Sequence, residues 1–130
     1  PKNNRSQLME TDDNKLLVDA YNANPTSMRA AIENFRDMKV ERRMVILGDM
    51  GELGESSWKA HQAIADLLVE SGFEHVWLVG PKFKAARHPF RTFDSVEQVK
   101  KALEIKKPKG YYILIKGSHS TRLYDLPDFL

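Results

Sequence analysis

Asp19, Tyr21, Asn22 and Asn24 crowd a carboxylate, a phenol and two amides into the stretch DAYNANP (Asp19–Pro25), directly behind the apolar run Leu16-Leu17-Val18. Short polar groups so placed can hydrogen-bond ribose hydroxyls, an adenine edge or a phosphate-bound metal. A carboxylate that ends a buried run needs a partner, which a helix N-terminus or a ligand hydroxyl would supply. Asn24 has a second reading: it suits a helix N-cap, with Pro25 at the first helical position where its missing N–H costs nothing. Both readings stay open for it.

Two further loops carry polar groups. Gly48-Asp49-Met50-Gly51-Glu52-Leu53-Gly54 is glycine-rich, but it is neither GxGxxG nor GxxxxGK[ST], so neither phosphate-binding mechanism applies. Its glycines are expected to permit unusual backbone angles, with Asp49 and Glu52 ambiguous between turn and ligand. Lys116-Gly117-Ser118-His119-Ser120 joins a lysine, hydroxyls and backbone N–H groups that could receive a phosphate or carboxylate. A solvated lysine followed by a helix cap is the alternative. The histidines (His61, His75, His88, His119) are scattered with no ligand spacing, so no metal site is expected, and His61 is expected to be packed or hydrogen-bonded within a helix. No GxSxG elbow supports nucleophilic hydrolysis.

These loops must be held by regular elements. Lys15–Ala20, Met44–Leu47, Val76–Val79 and Tyr111–Ile115 are short apolar runs that read as buried strands, with Gln7–Thr11 and Arg91–Phe93 as shorter candidates. Met28, Ala31, Ile32, Phe35 and Met38 keep helical spacing. Ala60, Ile64, Leu67 and Leu68 line a second helix, capped by Ser56 or Ser57 and stopped by Gly72. Ser95 with Gln98 matches a capping box before the helical positions Val96, Val99 and Leu103. Apolar strands alternating with amphipathic helices predict an α/β fold: a Rossmann-like, mostly parallel sheet with helices on both faces. In such sheets ligands sit beyond the carboxyl ends of the strands, and all three loops fall at that edge.

The totals agree with one domain. The chain has 130 residues, 42% of them hydrophobic and 29% charged, and a net charge of +2. That balance predicts no strong pull toward nucleic acid or membrane. There is no cysteine, which excludes disulfides and thiolate sites. No apolar run approaches the ~20 residues of a membrane span. The chain opens on Pro1 with a polar, unpatterned Pro1–Gln7, so it is expected to be one domain (1–130) of something longer, with residues 1–10 near a junction.

Three segments resemble motifs of the Mur ligase family: DAYNANPTSMRAAI (Asp19–Ile32), LGDMGELGESSWKAH (Leu47–His61) and LIKGSHS (Leu114–Ser120). They occur in the family's order, and the resemblance runs from about Asn4 to Leu123. It implies the C-terminal, Rossmann-like domain of a cytoplasmic three-domain enzyme of peptidoglycan synthesis. The central and N-terminal domains of the same chain would hold the P-loop and the UDP-sugar. The implied reaction uses ATP and Mg²⁺, the latter bound mainly by the central domain, to phosphorylate the carboxylate of UDP-N-acetylmuramoyl-tripeptide. The amine of D-Ala-D-Ala then attacks the acyl phosphate.

By position, the resemblance puts Arg5, Asp19, Tyr21 and Asn22 at the nucleotide, and Asn24, Lys116, Ser118 and His119 toward the substrates. His119 stands where members commonly carry arginine, so a forked donor is replaced by an imidazole whose charge depends on pH. The domain alone is expected to be inactive, and a monomer is expected. Two other readings compete. A folate-polyglutamate-like amide ligase shares the architecture but not the NANP and GDM-x-ELG wording. A phosphoacceptor receiver module would use Asp19, Asp49 and Lys116, which all follow predicted strands, yet Asp12-Asp13 precedes its strand instead of following it.

Overall fold

The computed structural model describes residues 7–130, so Arg5 lies outside the described residues. Its strands are β1 (Gln7–Glu10), β2 (Lys15–Asp19), β3 (Arg43–Gly48), β4 (Val76–Val79), β5 (Arg91–Phe93) and β6 (Tyr112–Lys116). Its helices are α1 (Pro25–Asp37), α2 (Ser57–Glu70), α3 (Pro81–Ala85) and α4 (Val96–Ile105), followed by 3-10 turns at His119–Thr121 and Leu123–Phe129. The strands form one sheet in the order β1-β2-β6-β3-β4-β5. Every neighbouring pair is parallel except the edge hairpin β1–β2. Among the described residues no helix is long and apolar enough to cross a membrane.

Central strands buried on both faces explain why their sequences are continuously apolar instead of alternating. Along β3 the pleat sends Met44 and Ile46 to one face and Val45 and Leu47 to the other. The first face packs against α4 and the C-terminal turns through Val96, Val99, Leu103, Leu123 and Leu126. The second packs against α1, α2 and α3 through Met28, Ile32, Phe35, Ile64, Leu68 and Phe83. Truncating one of these side chains to alanine costs about 2–5 kcal/mol, because the cavity left behind relaxes only in part.

The helix starts differ in how far they follow local rules. Asn24 caps α1 as its residue type predicts: its Oδ1 accepts the Ser27 N–H at 2.9 Å, and Ser27 Oγ accepts the Asn24 N–H at 3.1 Å. The box expected at Ser95 does not form, since Ser95 makes no side-chain cap bond. Gln98 reaches one residue further back, accepting the Asp94 N–H at 2.7 Å and donating to the Asp94 carboxylate at 3.2 Å. Ser56 does not cap α2 either, because its hydroxyl is spent on the Leu53 carbonyl at 2.7 Å, inside the turn Gly54–Ser56.

Candidate functional site

Because β2, β6, β3, β4 and β5 run parallel, the loops after β2, β3 and β6 all emerge at one edge of the sheet. Register then decides which side chains meet. Asp19 on β2 pairs with Lys116 on β6, which is flanked on its other side by Leu47 of β3. Asp19 has the parity of Leu17, and Lys116 that of Tyr112 and Leu114, so both point to the face covered by α1.

Lys116 is only 1% exposed. Its ammonium lies 2.6 Å from Asp19 Oδ2 and donates to the Asn22 carbonyl at 3.1 Å. A charge so deep persists only when paired and hydrogen-bonded. The sequence reading set Lys116 at the substrates, with a solvated side chain as its alternative. The fold rules out the solvated side chain, turning the ammonium back onto the loop after β2. It also supplies the partner Asp19 required, which is a lysine and not a helix end. Asp19 is half satisfied: its second oxygen, Oδ1, is buried and has no hydrogen-bond partner among the described residues.

At the same edge of the sheet, an aromatic group is drawn from three segments. Tyr21 stacks on Tyr124 with ring centroids 5.0 Å apart and planes 3° from parallel. His119 leans on both, at 5.6 Å from Tyr21 and 5.1 Å from Tyr124. Tyr21 remains 49% exposed, so part of its ring is accessible to a ligand. Asn22 is exposed, and its carbonyl is committed to Lys116. Sequence reasoning missed Tyr124; it sits in an unpatterned tail and joins the site only because Leu123 and Leu126 dock that tail onto the sheet.

The other loops are tied to the same edge. Ser118 N–H donates to the Asp49 carbonyl at 3.3 Å, and Ser118 Oγ lies 3.1 Å from Ser120 Oγ. Gly48 and Gly117 have no room for a side chain, since a Cβ on either would come 2.7 Å from Thr121 Oγ1. The Asp49 carboxylate is not presented to solvent. It accepts the Lys82 and Phe83 N–H groups, both at 2.9 Å, and so caps the start of α3. A phosphoacceptor aspartate must be open to attack, so this geometry removes the receiver reading. Among the described residues no group of three or more histidine or acidic side chains could hold a metal ion.

A family described as Mur ligase, glutamate ligase domain, matches residues 4–119. The chain belongs to the Mur ligase family. Among the curated relatives of this Mur ligase chain, the UDP-N-acetylmuramoyl-tripeptide–D-alanyl-D-alanine ligase of Treponema pallidum (strain Nichols) is 32% identical over 123 residues, covering 88% of this chain and 27% of that protein. The ligase of the same name from Rickettsia prowazekii (strain Madrid E) is 28% identical over 131 residues, covering 96% of this chain and 29% of that protein. A crystal structure of MurF from Acinetobacter baumannii superposes with a TM-score of 0.79 at 28% identity, over 96% of this chain and 30% of that one. MurF from Thermotoga maritima, solved with ADP, shares the fold at a TM-score of 0.80 and 22% identity, over 97% of this chain and 30% of that one. The Mur ligase chain thus spans less than a third of the length of these relatives.

Proposed function

We propose that this Mur ligase chain is the C-terminal domain of an ATP-dependent amide ligase that joins D-alanyl-D-alanine to UDP-N-acetylmuramoyl-tripeptide in peptidoglycan precursor synthesis. The names of the relatives support the reaction. The observation that carries the site is the half-satisfied Asp19: a largely covered carboxylate with one oxygen held by Lys116 and the other without a partner among the described residues, at the carboxyl edge of a parallel sheet.

In this reading the Asp19 carboxylate, 13% exposed, accepts a ribose hydroxyl of ATP, and the exposed part of Tyr21 lies beside the nucleotide with Asn22. Arg5 would add charge from the junction with the central domain. Lys116 acts indirectly, holding the carboxylate and the Asn22 carbonyl in place, while Ser118 and His119 face the acceptor. Asn24 holds the start of α1. Mg²⁺ belongs in this reading to the central domain, as does the P-loop. The domain alone is then one wall of a site and inactive.

The test is ligation by the full-length protein. Phosphate release is expected only when ATP, UDP-N-acetylmuramoyl-tripeptide and D-Ala-D-Ala are all present. Asp19→Ala is expected to raise the KM for ATP about tenfold or more, the loss of a charge-assisted hydrogen bond. Glutamate addition to a folate, with no D-Ala-D-Ala dependence, would transfer the chain to the folate-type ligases and overturn the reading.

A further inference from the structure

His61 is fully buried, and nothing in the proposed reaction uses it. Its ring nitrogens face two different elements. Nδ1 lies 2.7 Å from the Ser57 carbonyl, which can only accept, so Nδ1 carries the hydrogen. Nε2 then has a free lone pair and accepts the Met50 N–H at 3.0 Å. The ring edge-packs on Phe83 at 4.7 Å, which fixes its plane. One imidazole therefore joins the first turn of α2 to the middle of the loop Gly48–Gly54.

That loop passes the constraint on in two directions. The Asp49 carboxylate, beside the bonded Met50, caps α3 through Lys82 and Phe83. The Asp49 carbonyl accepts the Ser118 N–H. Met50 is fully buried, so without His61 its N–H would have no acceptor, and the loop would have to move to find water.

We propose that His61 is the positioning residue of this edge: through Met50 and Asp49 it sets where Ser118 stands toward the acceptor dipeptide. The inference rests on the proposed ligase reading for its functional half and on the hydrogen bonds alone for its structural half. It separates two substitutions that packing arguments treat alike. Glutamine places its amide oxygen where Nε2 was and can accept from Met50. Asparagine is shorter, keeps only the donor to Ser57 and leaves Met50 unpaired.

The experiment compares full-length wild type, His61→Gln and His61→Asn by hydrogen–deuterium exchange of the 48–54 peptide and by steady-state kinetics. H61N is expected to speed exchange in that peptide and to raise the KM for D-Ala-D-Ala about tenfold, with the KM for ATP within about twofold. H61Q is expected to stay within about twofold of wild type on both readouts. Equal behaviour of the two variants in exchange, whether both are normal or both impaired, overturns the positioning role and leaves His61 a packing residue. Altered exchange in H61N alone, with no change in the dipeptide KM, overturns the link to Ser118. A wild type without D-Ala-D-Ala-dependent turnover refutes the ligase reading instead, and the exchange result still decides the loop.

Discussion

Replacing Lys116 with methionine keeps the aliphatic volume but removes the ammonium from a side chain that is 1% exposed. Asp19 Oδ2 then loses its 2.6 Å partner, and since Oδ1 already has none, the carboxylate is left unpaired among the described residues. The Asn22 carbonyl loses its donor as well. Breaking a buried pair from one side costs about 3–5 kcal/mol, because the remaining charge keeps its desolvation penalty without compensation. Against a typical domain stability of about 5–15 kcal/mol, that is a large share, and Tm is expected to fall on the order of 10 °C or more. Thermal melts and urea midpoints of wild type, Lys116→Met, and the double variant Asp19→Leu with Lys116→Met measure it. The double variant removes both charges and is expected to recover most of the loss, since an apolar pair of similar volume is often as stable as a buried ion pair. A single variant within about 1 kcal/mol of wild type would refute the reasoning. So would a double variant no more stable than the single one, which would mean that the two charges are not coupled.

Glycine substitutions on the same edge should divide sharply. Gly80→Ala meets a positive φ of 116° and the Asp49 carboxylate where its Cβ would sit, so more than about 2 kcal/mol should be lost in chemical denaturation. Gly51→Ala meets nothing within 4 Å and should fall within about 0.5 kcal/mol of wild type. Asn24→Ala removes the acceptor for Ser27 N–H and should cost about 1 kcal/mol in the same assay, with Asn24→Ser retaining most of it. The last prediction concerns acid. The hydrogen bond from Lys100, at 3.0 Å, together with the charge of Arg122, holds the Asp125 carboxyl below the usual aspartate range, although burial opposes the shift. A depressed folded-state value means stability that is present above the unfolded value of about 3.9 and lost as pH falls through the lowered one. Exchange in the turn Leu123–Phe129 should therefore rise below about pH 4, and Lys100→Met should weaken that dependence, Arg122 retaining the remainder.

Much of the fold was legible because its determinants are local or periodic. Asn24-Pro25 starts a helix through contacts within one turn, and Gly72, at φ 82°, ends another. Apolar runs alternating with amphipathic stretches imply a covered parallel sheet, and parallel strands bring their following loops to one edge whatever their order. The Mur ligase wording of DAYNANP, GDMGELG and KGSHS likewise needs no coordinates.

What those residues do to one another was not legible. Asp19 and Lys116 are 97 positions apart, and they meet because β6 inserts between β2 and β3 in a register that makes them neighbours on one face. A slip of one residue would have sent Lys116 to the opposite face. Tyr124 reached Tyr21 only through the docking of a tail without periodicity, and His61 met Met50 only because α2 packs back along the loop that precedes it. Residue types and spacing specify interactions within a few positions. Which distant groups share a buried, poorly screened space depends on strand order, register and packing, and here that choice made Lys116 the buried partner of Asp19.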